Sequence, residues 1–401
     1  MKNPPKKVIV RKSYYTFSRE YPAGRLPMQH KRRHKGEKKR AALRVLLFVL
    51  LFAVVFTGGF FLTDLSLKIS GRPIAEEENT AAPADGSGER QTLLNAEDGL
   101  QALCLPVQTI RDRAAVKESI RKLKRNNCNS VVLDFKTREG KLLYASLQQP
   151  ALLAGCSLYS NETVRNAIKQ YQNASISVIA RVYCFEDPLI AAQNPAMAVT
   201  YLDTQVPWLD KKEEEGGKPW LNPYSSKARS YLLAVLKELN AFNLGGVILE
   251  SVCFPQGDNL ENASFDGESG GAARNGVLQR FLNKAAATQP DGRFVLAGLT
   301  TEELQLGSDE KYDGILTSEK IDGVYLYTAG MVDPNVKYAD YLQQINTFVL
   351  LESRLPAGQL LLLDIPQAEY NRAYGRTLRR NSLTRIAFSN PEESNATEKT
   401  E

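Results

Sequence analysis

The stretch ETVRNAIKQYQNASISVIARV (162–182) contains, in order, a helical pattern, a short connection and an apolar run. In its first part, apolar residues recur every three or four positions, which is typical of a helix that packs one face against a core. The run ISVIARV (176–182) is rich in β-branched residues and nearly continuous, like a parallel strand that is buried on both faces. The stretch therefore predicts a helix followed closely by a buried parallel strand.

Eight apolar runs of this kind lie between residues 98 and 389. They are ALCLPV (102–107), SVVLDF (130–135), ISVIARV (176–182), GVILES (246–251), RFVLAGL (293–299), GVYLYT (323–328), QLLLLDI (359–365) and LTRIAF (383–388). Helical patterns lie between most of them, namely AAVKESIRKLKRN (114–126), ETVRNAIKQYQ (162–172), SKARSYLLAVLKELNAF (226–242), GVLQRFLNKAAAT (276–288) and KYADYLQQINTFVLLES (337–353). This alternation predicts an α/β protein with a (β/α)8 TIM-type barrel.

The connections differ in length between the two ends of the predicted barrel. Those from a helix to the next strand are short, whereas those from a strand to the next helix are long, at 136–161, 183–225 and 252–275. Such barrels carry their sites on the loops that follow the strands, so we expect the site at that end. Residues 301–320 predict a poor helix, and the polar tail 390–401 supplies no full eighth helix.

Charge divides the chain into two unequal parts. Residues 1–44 contain fifteen Lys and Arg against two acidic residues, whereas the remainder contains 36 basic and 43 acidic residues. The run VLLFVLLFAVVFTGGFFLT (45–63) has nineteen residues without a charge. As a helix it would be about 28 Å long, enough to cross a bilayer. This predicts a single-pass signal anchor rather than a buried core helix or a cleaved signal peptide.

The positive-inside rule places residues 1–44 in the cytoplasm and the main domain outside the membrane. Residues 64–97 are small, polar and acidic, which predicts a disordered linker. The expected order is a basic cytoplasmic segment (1–44), the transmembrane anchor (45–63), the linker (64–97), the barrel (98–389) and a polar tail (390–401). The protein is thus expected in the cell membrane, with the barrel in the cell envelope. The acidic balance of the large part predicts no nucleic-acid partner.

Missing residue types limit the chemistry of the barrel. Both histidines, His30 and His34, lie in the basic segment, which excludes a Ser-His-Asp triad, a Cys-His pair or a histidine-ligated zinc site in the barrel. The five cysteines form no CxxC motif, so neither a metal site nor a disulfide framework is indicated. No nucleotide-binding fingerprint occurs. We therefore expect no metal and no cofactor, and acid–base chemistry by carboxylates, Lys, Tyr or Cys.

Polar side chains at the carboxyl ends of barrel strands are typical of a functional site. Six such residues close predicted strands: Asp134, Lys136, Arg181, Tyr183, Glu250 and Asp364. Paired carboxylates across a cleft serve glycoside hydrolysis, one as the acid and the other as base or nucleophile. The alternative is structural, with one of the carboxylates held in an ion pair by Arg181 or Lys136.

Both tryptophans, Trp208 and Trp220, lie in the long connection after the third predicted strand. Exposed indole rings at this place would bind the face of a sugar ring, whereas the alternative is that they pack within the loop. The sequence pattern leaves both interpretations open.

Four stretches share an ordered pattern over about 125 residues of the chain. They are VVLDFKTREGKLLYAS (131–146), IARVYCFEDPLIAAQNPAMAV (179–199), PWLNPYSSKARSYLLAVLKEL (219–239) and GGVILESVCFP (245–255). Together they resemble the bacterial putative glycoside hydrolase domain family. The resemblance implies a (β/α)8 barrel similar to the α-amylase group. It also implies site residues at Asp134, Lys136, Arg181, Trp220 and Tyr224.

The chain departs from the family's pattern at several strand ends. Glu250 stands where the family has an Asp, and Cys253 stands where it has an Arg. Gly298 stands where the family has an acidic residue, with Glu302 nearby, and Tyr327 belongs to an altered Pro-Met-x-Tyr pattern. If the reaction needs carboxylates on both the fourth and the fifth strand, these departures abolish turnover.

The predicted function is that of a membrane-anchored, extracytoplasmic barrel that recognises or hydrolyses carbohydrate, with complete or degenerate catalytic residues. As a hydrolase it would use Glu250 as nucleophile or base, with Asp134, Asp364 or Glu302 as the second acid. The expected substrate-binding residues are Lys136, Arg181, Tyr183, Trp208, Trp220, Tyr224 and Tyr327. The alternative is a non-catalytic cell-envelope protein that binds a cell-wall glycan or a protein, or a scaffold.

The charge split generates a test of the topology. Because fifteen basic residues precede the apolar run, protease added to intact protoplasts should digest residues 64–401 and spare the basic segment. Antibodies against the two ends of the chain measure which part survives. Survival of the large part with loss of the basic segment would contradict the signal anchor.

Overall fold

Eight parallel strands form a closed barrel. The computed structural model describes residues 99–265, 273–328 and 338–389, all within the unit Ala82–Glu401. The strands are β1 (Gln101–Leu105), β2 (Ser130–Lys136), β3 (Ser177–Tyr183), β4 (Gly246–Glu250), β5 (Phe294–Thr300), β6 (Gly323–Tyr327), β7 (Leu360–Pro366) and β8 (Ile386–Ser389). Since β1 pairs with both β2 and β8, the barrel closes and the predicted TIM-type fold is confirmed.

Helices alternate with the strands. They are α1 (Arg113–Arg125), α2 (Gln149–Leu153), α3 (Asn161–Asn173), α4 (Pro188–Gln193), α5 (Ser226–Glu238), α6 (Arg274–Ala287), α7 (Thr301–Leu306), α8 (Asp309–Tyr312), α9 (Tyr338–Arg354) and α10 (Arg372–Arg380). Polar side chains begin several of them: Asp112, Ser160 and Ser225 each accept a backbone N–H in the first turn of α1, α3 and α5. These three helices thus begin at a residue whose side chain accepts a hydrogen bond from a backbone N–H group that has no partner within the helix.

The helices differ from the sequence prediction in two places. The poor helical segment 301–320 contains the two short helices α7 and α8. Helix α10 was not predicted, because its sequence RAYGRTLRR buries only a narrow face around Tyr374 and Leu378. Asn371 begins this helix by accepting two backbone N–H groups. The prediction of an incomplete eighth helix concerns residues 390–401, which lie outside the described residues.

The interior of the barrel is apolar below its C-terminal end. The inward-facing cluster comprises Leu100, Ala102, Val132, Ile179, Ile248, Phe294, Leu296, Tyr325, Leu362 and Ala387. Alternation along each strand places the next inward position two residues further on, closer to the C-terminal end. On several strands that position carries a polar residue. The candidate site therefore lies directly above a packed apolar core.

The predicted membrane anchor (45–63) and linker (64–97) lie outside the described residues. In the part of the chain that the structure describes, no helix combines the length and apolarity needed to cross a bilayer. The anchor and the boundaries of these segments remain predictions.

Gly246 makes room for an aromatic ring at the base of the barrel. A methyl group on Gly246 would lie 2.1 Å from the ring of Phe294, which is fully buried. We expect Gly246→Ala to lower the free energy of unfolding by about 1–3 kcal/mol, as overpacking does. Urea unfolding followed by circular dichroism measures the change.

Gly276→Ala in α6 is the matched control. Its new methyl group would meet only the end of the Arg280 side chain, at 3.4 Å, and alanine favours helix more than glycine does. Gly276→Ala should therefore be no less stable than the wild type. Equal losses in the two variants would contradict a specific role for Gly246.

Candidate functional site

Five inward-facing side chains meet at the C-terminal end of the barrel, and we call them the mouth cluster. They are Asp134 on β2, Arg181 on β3, Glu250 on β4, Tyr327 on β6 and Asp364 on β7. The strand register brings them together, since Asp134 pairs with Arg181 and Tyr327 pairs with Asp364. Paired residues of neighbouring strands point to the same face of a sheet. All five were predicted from the sequence.

Glu250 is 4% exposed and lies deep in the mouth cluster. The hydroxyl of Tyr327 donates a hydrogen bond of 2.7 Å to its Oε1. Its Oε2 lies against β5, where a methyl group on Gly298 would come within 2.1 Å. The missing side chain at Gly298 therefore provides the space that the Glu250 carboxyl group occupies.

The surroundings of Glu250 favour its neutral form. Burial raises the pKa of Glu250 to about 7, and the positive charge of Arg181 and the hydrogen bond from Tyr327 limit the rise. The carboxylates of Asp364 and Asp134 raise this pKa further. Burial, and then the proximity of Glu250, also raise the pKa of Tyr327, so its hydroxyl stays protonated and donates. Glu250 therefore gains and loses its proton near neutral pH.

Asp134 and Arg181 form an ion pair across neighbouring strands. Arg181 Nε lies 2.5 Å from Asp134 Oδ1, and the two side chains are 13% and 21% exposed. Tyr183, which pairs in register with Glu250, packs beside them. The guanidinium groups of Arg138 and Arg181 lie 5.3 Å and 5.7 Å from the centre of its ring. Asp134 is therefore held in an ion pair by Arg181, which is the structural alternative that the sequence analysis left open.

Lys136 is not part of the mouth cluster, which corrects its assignment as a substrate-binding residue. Its ammonium group is fully buried, lies 3.0 Å from Asp187 Oδ2 and donates to the carbonyl of Tyr183 at 2.7 Å. The register shifts between Asp134 and Lys136, so simple alternation does not carry to the end of β2. Lys136 instead joins the end of β2 to Asp187, the residue that begins α4.

The tryptophans pack within the long loop after β3, so the expected exposed indole surface is wrong. Trp208 is fully buried and its Nε1 donates to the carbonyl of Asn259. Trp220 is 9% exposed and its Nε1 donates to Asp210 at 3.0 Å. The ring of Tyr224 lies 5.0 Å from that of Phe254. Loop packing, the alternative that the sequence left open, accounts for both tryptophans.

Comparison with known protein families gives a match over most of the site. Residues 102–297 match the family described as "Putative glycosyl hydrolase domain". This part of the chain is therefore similar to that family. The resemblance seen in the sequence is thereby confirmed, and the glycosyl hydrolase domain includes Asp134, Arg181 and Glu250. No curated protein matches the chain.

Solved structures similar to this glycosyl hydrolase domain include three from bacteria. A hypothetical protein from Ruminiclostridium thermocellum is 24% identical, with 49% of this chain and 96% of that chain covered and a TM-score of 0.43. An exo-β-N-acetylglucosaminidase from Vibrio harveyi is 14% identical, with coverage of 66% and 40% and a TM-score of 0.43. A dextranase from Flavobacterium johnsoniae is 10% identical, with coverage of 78% and 39% and a TM-score of 0.46. The chain spans less than half the length of the two glycosidases.

The barrel also has two inward-facing residues that were not predicted as site residues. Cys104 on β1 is partly exposed, and its Sγ lies 3.3 Å from the hydroxyl of Tyr325 on β6. Burial raises the pKa of Cys104 to about 12, and the charge of Asp364 raises it further. The thiol is therefore neutral and not an activated nucleophile. Alternation along β1 and β6 is the signal that could have placed both residues in the site.

Asp364 lies beside them and is 3% exposed. Burial raises the pKa of this carboxyl group, whereas hydrogen bonds from Ser389 and Tyr325 and the charge of Arg181 oppose the rise. Its Oδ1 has no hydrogen-bond partner. Among the described residues, no group of three or more His, Cys, Asp or Glu side chains is arranged to hold a metal ion. The charged groups of the mouth cluster are the two buried carboxyl groups of Glu250 and Asp364 and the ion pair of Asp134 with Arg181.

The raised pKa of Glu250 predicts how its removal affects stability. A carboxyl group that holds its proton more tightly in the folded state contributes stability fully below its unfolded pKa, near 4.5, and loses it as the pH rises through about 7. We therefore expect Glu250→Gln to stabilise the protein by up to about 3 kcal/mol at pH values above 7, and to have little effect in acid. Unfolding curves across this range measure the difference.

Glu319→Gln is the control, because Glu319 is exposed and lies before β6, away from the mouth cluster. This variant should show no such dependence on pH. Destabilisation of Glu250→Gln by about 3–5 kcal/mol at all pH values would instead show that Glu250 is the ionised partner of a buried ion pair.

Proposed function

We propose that the barrel binds carbohydrate at the mouth cluster, as a glycosyl hydrolase-like domain held outside the cell by the predicted anchor (45–63). The observation that carries the proposal is the convergence of three carboxyl groups, one guanidinium group and tyrosine hydroxyls at the C-terminal end of the barrel. Sugars are recognised by such sets of directional polar groups in a concave site. The match of residues 102–297 to the glycosyl hydrolase family supports carbohydrate as the ligand.

The geometry supports binding better than turnover. Hydrolysis uses two carboxyl groups that flank the scissile bond, one on each side of it. Glu250 is recessed between Tyr327 and Gly298, and Asp364 is 3% exposed. Asp134 is the most accessible of the three carboxylates, but Arg181 already holds it. The site therefore offers hydrogen-bonding groups to a ligand without a free pair of opposed carboxylates.

Hydrolysis is the second candidate function, and one observation favours it. A general acid works best when its pKa lies near the working pH, and the pKa of Glu250 is raised to about 7 by burial. Asp134, which is paired with Arg181, would then stabilise positive charge on the sugar ring, as the second carboxylate of a glycosidase does.

The extracytoplasmic location is proposed on the sequence alone. The basic segment 1–44 precedes the nineteen-residue apolar run, and the positive-inside rule then directs the barrel away from the cytoplasm. A cell-envelope glycan would be the ligand available at that place. A pure scaffold is less well supported, because such a barrel would have all its strand-end charges paired, and Glu250 and Asp364 are not in the ion pairs of the described residues.

Glu250→Gln separates binding from hydrolysis. For a binding site, the affinity for the bound glycan should fall by about tenfold, the scale of one hydrogen bond to a charged group, with no reducing ends released by the wild type. For a hydrolase, the wild type should release reducing ends and the variant should lose at least about 100-fold in kcat. Calorimetric titration and a reducing-end assay on the full-length protein measure the two outcomes.

Glu319→Gln is again the control and should match the wild type in both assays. A screen of cell-wall and storage polysaccharides in which neither the wild type nor the control binds any glycan would contradict the proposed function. Unchanged glycan binding by Glu250→Gln would place the binding site elsewhere on the barrel.

A further inference from the structure

Solvent reaches into the barrel mouth beside two buried carboxyl groups. Cys104, Asp134, Arg181 and Tyr327 all face inward, and all four are partly exposed. The groups Tyr325, Glu250 and Asp364 next to them are buried, and we call the space between the two sets of side chains the recess. A small group of a ligand that enters the mouth would therefore meet carboxyl groups on two sides, from β4 and from β7.

The charges around this recess do not balance. Arg181 is the basic side chain that acts on both Glu250 and Asp364, but it is already ion-paired with Asp134. Arg138 also acts on Glu250 but is paired with Glu186 at 3.3 Å, and Lys136 is paired with Asp187. Glu250 and Asp364 therefore share the recess without a cation of their own. Burial raises the pKa of each carboxyl group, and the charge of Arg181 and the hydrogen bonds from neighbouring hydroxyl groups only limit the rise.

Asp364 also has an unused hydrogen-bonding atom. Its side chain faces the interior, because its partners in register are Tyr327 and Ala387, which face inward. Ser389 and Tyr325 donate to the carboxyl group, yet its Oδ1 has no partner. A buried hydrogen-bond acceptor without a partner costs free energy. A hydrogen-bond donor on a ligand would remove that cost.

We propose that the recess binds the protonated amino group of an amino sugar, held between Asp364 and Glu250. An ammonium group has several donors and one positive charge, which matches an unused acceptor and two uncompensated carboxyl groups. A neutral sugar hydroxyl would satisfy Asp364 Oδ1 but leave the charges unbalanced, and an acetylated amine would lack the charge. This inference rests on the proposed function and names the class of carbohydrate that the site selects.

Calorimetric titration of the full-length protein at neutral pH tests the proposal with three matched probes. They are oligosaccharides of glucosamine, of N-acetylglucosamine and of glucose, of equal length. We expect the glucosamine oligosaccharide to bind at least about tenfold more tightly than either of the others, the scale of one charge-assisted hydrogen bond. Asp364→Asn should remove most of that preference, because it should weaken binding of the glucosamine oligosaccharide far more than binding of the glucose oligosaccharide.

Asp364→Asn keeps an acceptor for Ser389 and Tyr325, so the folded state should persist, and a thermal melt checks it. Glu319→Gln is the control and should keep the full preference. Equal affinities for the charged and neutral probes, or an equal loss for all probes in Asp364→Asn, would overturn the proposal while leaving carbohydrate binding intact. Failure of every glycan to bind would overturn the proposal together with the proposed function.

Discussion

Closure of the barrel is the constraint on which the site depends. In each of the eight strands, every second side chain points into the closed barrel. At the C-terminal end these inward-facing side chains occupy a small volume. Carboxyl groups from β2, β4 and β7 must therefore lie near one another, although they are distant in the sequence. Closure also shields them from bulk water, which strengthens every electrostatic interaction among them.

The three carboxyl groups differ in the neighbouring groups that offset the cost of their burial. Asp134 is neutralised by Arg181 on the neighbouring strand. Glu250 receives a hydrogen bond from Tyr327 and fits against the bare backbone of Gly298. Asp364 has only hydroxyl donors and retains an unpartnered oxygen. The mouth cluster thus contains one guanidinium group and three carboxyl groups, so the packing of the strands sets which polar groups the site presents to a ligand.

The loops contribute stability more than chemistry in the described structure. The ion pair between Lys136 and Asp187 joins the end of β2 to the start of α4 in a fully buried environment. Trp208 and Trp220 bury their rings in the loop after β3 and satisfy their indole N–H groups there. Sequence position at a strand end predicted Lys136 as a ligand contact, but the register shift before it redirected the side chain. Whether an aromatic residue in a long loop is exposed depends on the packing of the whole loop.

The amino-acid sequence by itself determined the barrel and most of the mouth cluster. Buried parallel strands need continuous apolar residues, and that local property can be counted along the chain. A polar residue that ends such a run has to face either the site or a partner, so Asp134, Arg181, Glu250 and Asp364 could be selected without coordinates. Helix α10 was not predicted because its buried face is narrow and four of its nine residues are Arg.

Only the tertiary structure decided which polar residues meet. The contact of Glu250 with Gly298, the pairing of Lys136 with Asp187 and the place of Cys104 beside Tyr325 and Asp364 all join residues from different strands or loops. Such pairings depend on register, on a local shift in β2 and on the space left by a missing side chain. These are properties of the closed barrel, because each distance is set by two strands at once, whereas a sequence pattern describes one strand at a time.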